Sequence, residues 1–208
     1  ASLTWAFAGI LNPAMSQLHA FVSEYSARDQ PWRYLFQTTD VIMGTSLCLA
    51  GLATLAWAGR RPLGRQGWSG VGFVAGGLFS VLDALVTMDC SPTRSKACLA
   101  AEEAGHVSWS HFIHVGTSTI VVVGFALPIL LLNSTMTRFR GFGLVVTWAW
   151  VVFTLLNGIG AIDWFDGTPM DYTGIWQRFS LGLGTLWWLT LAADDVVTAR
   201  ALIRTSSC

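Results

Sequence analysis

The chain has 208 residues, 53% of them hydrophobic and only 12% charged, and its twelve basic and twelve acidic side chains balance to a formal net charge of zero. That charged share is about half the usual one for a soluble domain, which excludes an ordinary water-soluble fold. With no basic stripe, nucleic acid is excluded as a partner. The composition predicts an all-α integral membrane protein with a single membrane domain over 1–208.

A hydrocarbon core of about 30 Å takes roughly 20 helical residues to cross. Six stretches are long enough, at 3–22, 38–58, 68–88, 108–132, 141–162 and 173–197. They predict a six-transmembrane-helix bundle. The first lacks the short apolar core and small-residue cleavage site of a secretory signal, and reads as a span. Its polar face is Asn12, Ser16, His19 and Ser23. The second offers Gln37, Asp40 and Thr45. The third offers Ser80, Asp83 and Thr87, and its Gly72, Gly76 and Gly77 favour close helix packing. Asp83 precedes Asp89 by six residues, which places it about 9 Å further along a helix running to 88.

Between the third and fourth stretches, Cys90 and Cys98 flank SPTRSKA and predict a disulfide in an oxidising compartment, with a pair of free thiols as the competing reading. Cys48 and Cys208 are expected to be free. The fourth stretch carries Ser110, His111, His114, Thr117 and Ser118 on one face. Asn133-Ser134-Thr135 matches a glycosylation acceptor but falls on the wrong side of the membrane. The fifth ends at Asn157 and Asp163, and its Gly158 and Gly160 are expected to favour packing. The sixth opens with Trp176, Gln177 and Arg178.

Basic residues set the orientation. Arg60, Arg61, Arg65, Arg138, Arg140, Arg200 and Arg204 share one side of a six-span chain, so both termini are expected in the cytoplasm. Ten of the twelve acids fall on the other half. Trp32, Trp109, Trp164 and Trp176 mark the outer interface, and Trp57 and Trp68 the inner one. Glu24, Asp29, Glu102, Glu103, Asp166, Asp171 and His106 read as solvated loop groups. Asp40, Asp83, His111, His114, Asp163 and Arg178 do not, because charge within a membrane segment marks a site or a buried pair. His111, His114 and Arg178 are the expected partners of Asp83.

The i, i+3 spacing of His111 and His114 can place two imidazoles on one metal, with His19 or Asp83 as a third ligand. It is not the i, i+4 metalloprotease pattern, and no Glu follows the first His. The expected cofactor is none, with zinc at His111 and His114 as the alternative. Interhelical hydrogen bonding is the plainer reading of these polar groups. No phosphate-cradling glycine loop, nucleophile elbow or Cys-x-x-Cys occurs.

The stretches SARDQPWRYLFQTTDVIMG, MDCSPTRSKACLAAEEAGHVSWSHFIH and GIWQRFSLGLGTLWWLTLA resemble a bacterial membrane family, domain of unknown function 998. The matching positions are Asp40, Asp89, Pro92, His111, Gly174 and Arg178, and the resemblance covers nearly the whole chain. It implies a multi-pass protein of a bacterial plasma membrane and no particular activity. A fainter similarity of arrangement links the chain to the alkaline ceramidase and progestin-receptor-like hydrolases, which use intramembrane His, Asp and Ser around zinc. Here the last helix has no His, a departure from their two-His C-terminal helix.

The functional expectation is a site open to the outer leaflet that binds or transforms a lipid or isoprenoid. Asp83, His111 and His114 would be its acid–base groups, with Asp40, Asp163, Arg178, Trp176 and His19 in binding roles. The alternatives are a non-catalytic accessory or scaffold subunit with a membrane-protein partner, and a zinc-dependent intramembrane lipid hydrolase. A proton or ion pathway fits less well, because no acid or imidazole lies within the inner halves of the stretches.

Overall fold

The computed structural model describes residues 4–59, 64–165 and 172–206, with side chains described to 160 and again over 172–201. All its regular elements are helical among the described residues. Two short pieces, a 3-10 turn at Thr4–Phe7 and α1 (Ala8–Leu11), precede a 3-10 turn at Val22–Ser26. The long helices are α2 (Arg33–Ala58), α3 (Arg65–Leu85), α5 (Trp109–Leu132), α6 (Arg140–Phe165) and α7 (Thr173–Ser206), and α4 (Lys96–Glu103) lies between α3 and α5. Four segments are long and apolar enough to cross a membrane: α2, α3, α5 and Arg140–Gly160 of α6. The 34-residue α7 has the length, but carries Arg178, Asp194, Asp195 and Arg200.

The expected span at 3–22 is not built. Its helix stops at Leu11, and Asn12 is non-helical at φ −136°, ψ 78°. The reason is local: Pro13 disfavours the helical region for the residue before it and removes a backbone donor. Beyond it, the 12–21 stretch is a run of turns. Similarly, α3 ends at Leu85 rather than 88, so Asp83 lies in its last turn and not a further 9 Å down.

Helix α3 packs between α2 and α5, and its glycines make both contacts close. A Cβ on Gly77 would lie 2.5 Å from the Gly44 carbonyl oxygen, and one on Gly124 would lie 2.5 Å from the Gly76 nitrogen. Such small-residue seams are how membrane helices gain contact where hydrophobicity supplies no drive. Gly158 does not follow suit, since a Cβ there meets open space.

Helices α6 and α7 form a separate pair. The two groups meet at the arginine-rich end. Trp187 is fully buried there and donates from Nε1 to Asn133 Oδ1 at 3.1 Å, while Phe73 packs on Trp188 with ring centroids 4.7 Å apart. Asp194 accepts the backbone N–H groups of Thr137, Arg138 and Phe139 at 2.9, 2.6 and 2.8 Å, fastening α7 to the approach to α6. Asn133 is buried in this junction. Trp32 and Trp57 stand at opposite ends of α2 and are 48% and 76% exposed.

Candidate functional site: a capped cavity between the helix groups

At the other end, residues 12–32 and 86–108 knit together into a cap. Cys90 and Cys98 are joined by a disulfide, with Cα atoms 5.9 Å apart. Ser108 caps α5, and Asp89 accepts both its N–H (2.6 Å) and its hydroxyl (2.8 Å). Asp89 also pairs with Arg28 at 2.9 Å. Partial burial works to raise the Asp89 pKa, but these bonds and the Arg28 charge outweigh it and hold the carboxyl below its ordinary 3.8.

Glu24 is fully buried in this cap. It receives the Ser91 and Thr93 hydroxyls at 2.6 Å each, the Thr93 N–H at 3.1 Å and the Phe21 N–H at 2.8 Å. Burial pushes its pKa above the ordinary 4.5 despite those donors. Sequence reasoning placed Glu24 among solvated loop charges. Apart from the Phe21 N–H its partners, on Ser91 and Thr93, lie nearly seventy positions away, so no local pattern could have revealed its burial. Glu102 is a second correction: its side chain is 10% exposed and faces His111 Nε2 at 3.4 Å.

Arg178 fastens the cap to α7. Its Nη1 donates to the carbonyls of Gln17 (2.8 Å), Ala20 (2.9 Å) and Gly174 (2.9 Å), and its Nη2 to the Tyr25 hydroxyl (3.3 Å). Gly174 makes the approach feasible, since a Cβ there would lie 2.5 Å from the Ala20 oxygen.

Beneath the cap, between α2–α3–α5 and α6–α7, lies a cavity of about 410 Å³. Asp40, Asp83, Glu102 and His114 line it, with Trp5, Phe21 and Phe36 as its aromatic wall. His114 is 3% exposed. Its Nδ1 faces Asp83 Oδ1 (3.2 Å) and the backbone oxygens of Asp83 (3.2 Å) and Val86 (3.0 Å). Three oxygens around one nitrogen require that nitrogen to carry the proton. Nε2 is then a bare acceptor in the neutral ring, and it has no hydrogen-bond partner among the described residues. Thr117 and Ser118 donate to Asp83 Oδ1, the latter at 2.9 Å. An acid in the last turn of a helix opposes the helix dipole, so helix stability does not explain Asp83. Asp40 lies about 10 Å along α2 from its start, close enough to Asp83 for the two carboxylates to repel.

A family model described as "Protein of unknown function (DUF998)" matches residues 1–194. The chain belongs to DUF998. No curated protein and no solved structure matches it. In this DUF998 chain the two positions of the Gly-x-x-x-Arg pattern, Gly174 and Arg178, are the clasp between cap and last helix. Asp89 and His111 are joined too, the Asp89 N–H donating to His111 Nδ1 at 3.3 Å.

The expected site residues therefore separate. The structure brings Asp40, Asp83 and His114 to one cavity. Arg178 is spent on carbonyls and does not partner Asp83. His111 faces the cap, and each imidazole is committed at Nδ1 to a different partner. Among the described residues, no three His, Cys, Asp or Glu side chains are grouped to hold a metal. His19 receives the Tyr172 N–H at 3.4 Å, and Trp176 packs on Phe153 with centroids 5.8 Å apart. Neither His19 nor Trp176 lines the cavity. The Asp163 side chain and Cys208 lie outside the described residues.

Proposed function

We propose that this cavity takes the polar end of a membrane amphiphile from the outer leaflet and that Asp83 and His114 exchange a proton with it. The observation that carries this reading is the buried, unpartnered Nε2 of His114, whose opposite nitrogen is fixed on a carboxylate. A base oriented by a third group is the arrangement that activates a hydroxyl or takes a proton in acid–base chemistry. Nε2 would accept the proton, Asp83 would stabilise the imidazolium, and Ser118 and Thr117 would keep the carboxylate aimed at Nδ1. Val122 and Val123 belong to the cavity wall and are 38% and 58% exposed on α5, which supports sideways entry from lipid.

The arginine-rich end is cytoplasmic by the positive-inside rule, and the disulfide end faces an oxidising compartment. Helix α7 crosses beside α6. The cavity then sits in the outer half of a bacterial plasma membrane.

Native mass spectrometry of the chain in mild detergent tests this. We expect a bound amphiphile on the wild type and roughly tenfold weaker retention in His114→Gln, with Ser118→Ala as a variant that leaves the α3–His114 contacts in place. A chain free of lipid, travelling with a stoichiometric partner protein, would instead establish the scaffold reading.

A further inference from the structure

Resting on that reading, we infer that the amphiphile carries a primary ammonium headgroup. Three carboxyl groups, those of Asp40, Asp83 and Glu102, line the cavity, and among the described residues no Lys or Arg does. The arginines nearby are committed elsewhere. Arg28 pairs with Asp89, Arg94 donates to Gln30 at 3.2 Å, and Arg178 holds the carbonyls of the cap. Phosphate, diphosphate and carboxylate heads would find no Lys or Arg to pair with among the described lining residues, a mismatch that suppresses wrong partners.

The second observation is independent of charge. His114 Nε2 and Asn157 Oδ1 are the unpartnered buried polar atoms of the cavity wall among the described residues, and with His114 neutral and its proton on Nδ1 both are acceptors. Asp40 has no hydrogen-bond donor there either. A wall of unmet acceptors fits a head that is charged and also donates. A primary ammonium offers three N–H donors from one point. A quaternary ammonium has the charge without the donors, and an alcohol has one donor without the charge. The rings of Trp5, Phe21 and Phe36 add faces toward which a cation is attracted. The alkyl tail leaves past Val122 and Val123.

The test is equilibrium binding of four radiolabelled amphiphiles sharing a dodecyl tail to the chain in lipid nanodiscs, with empty nanodiscs subtracted. The heads are ammonium, trimethylammonium, hydroxyl and phosphate. We expect dodecylammonium to bind at least about tenfold more tightly than dodecanol and dodecyltrimethylammonium, with dodecyl phosphate not retained. Asp40→Asn removes that preference. Asp40 suits the test because no hydrogen bond to it is made among the described residues, and unchanged thermal unfolding of the variant verifies its fold. Glu103→Gln, an exposed acid outside the cavity, leaves the preference intact. Equal binding of dodecanol and dodecylammonium, or tighter dodecyl phosphate, overturns the ammonium headgroup while the cavity reading stands. Retention of none of the four overturns both.

Discussion

Glu24 and Asp89 hold the same cap together and respond to acid in opposite senses. The Asp89 carboxyl titrates below its ordinary 3.8. Its contribution is complete above that value and is lost as pH falls through the folded one. Glu24 titrates above 4.5, so stability rises as pH falls through its folded value toward 4.5. Thermal melts across this range should show Asp89→Asn flattening the decline on the acid side of about pH 4, and Glu24→Gln removing the gain on the higher side. Arg178→Lys should cost about 2–4 kcal/mol, because a single ammonium cannot reach every carbonyl the fork serves, and buried acceptors left unmet are penalised. Chemical denaturation would measure it. Asp83, His114 and Asp40 were legible in the sequence because ionisable groups stand out in apolar helices. The dyad's geometry was not, since it depends on α3 ending at Leu85 and presenting free carbonyls to His114.

Among the elements, the long helices announced themselves by length and hydropathy, whereas the 3–22 segment did not behave as its hydropathy suggested. A window average registers apolar content and overlooks the break that Asn12-Pro13 imposes. The turns that follow are what Arg178 and Gly174 bind. Gly174→Ala forces a methyl group onto the Ala20 carbonyl, and we expect a loss of about 2 kcal/mol with protease sensitivity appearing in residues 12–32, read by limited proteolysis. Breaking the Cys90–Cys98 bridge with Ser at both positions should cost about 2–3 kcal/mol for so short a loop. Helix α4 was invisible beforehand, being eight residues long and of mixed polarity.

Over the whole molecule, the cavity exists because the two helix groups touch mainly at the arginine-rich end. Trp187 anchors that junction, so Trp187→Ala should cost about 3–5 kcal/mol in denaturant melts while leaving the disulfide-bonded cap intact.

The Arg178 clasp has a consequence for biogenesis. The Cys90–Cys98 loop spans eight positions and can close without any contact from α7. Residues 12–32 can already rest on that loop through Glu24 and Arg28. The guanidinium that fixes them, however, lies on α7, far later in the chain. Residues 12–32 are therefore synthesised well before they can be secured, and the mouth of the cavity stays open until α7 has been made and has docked.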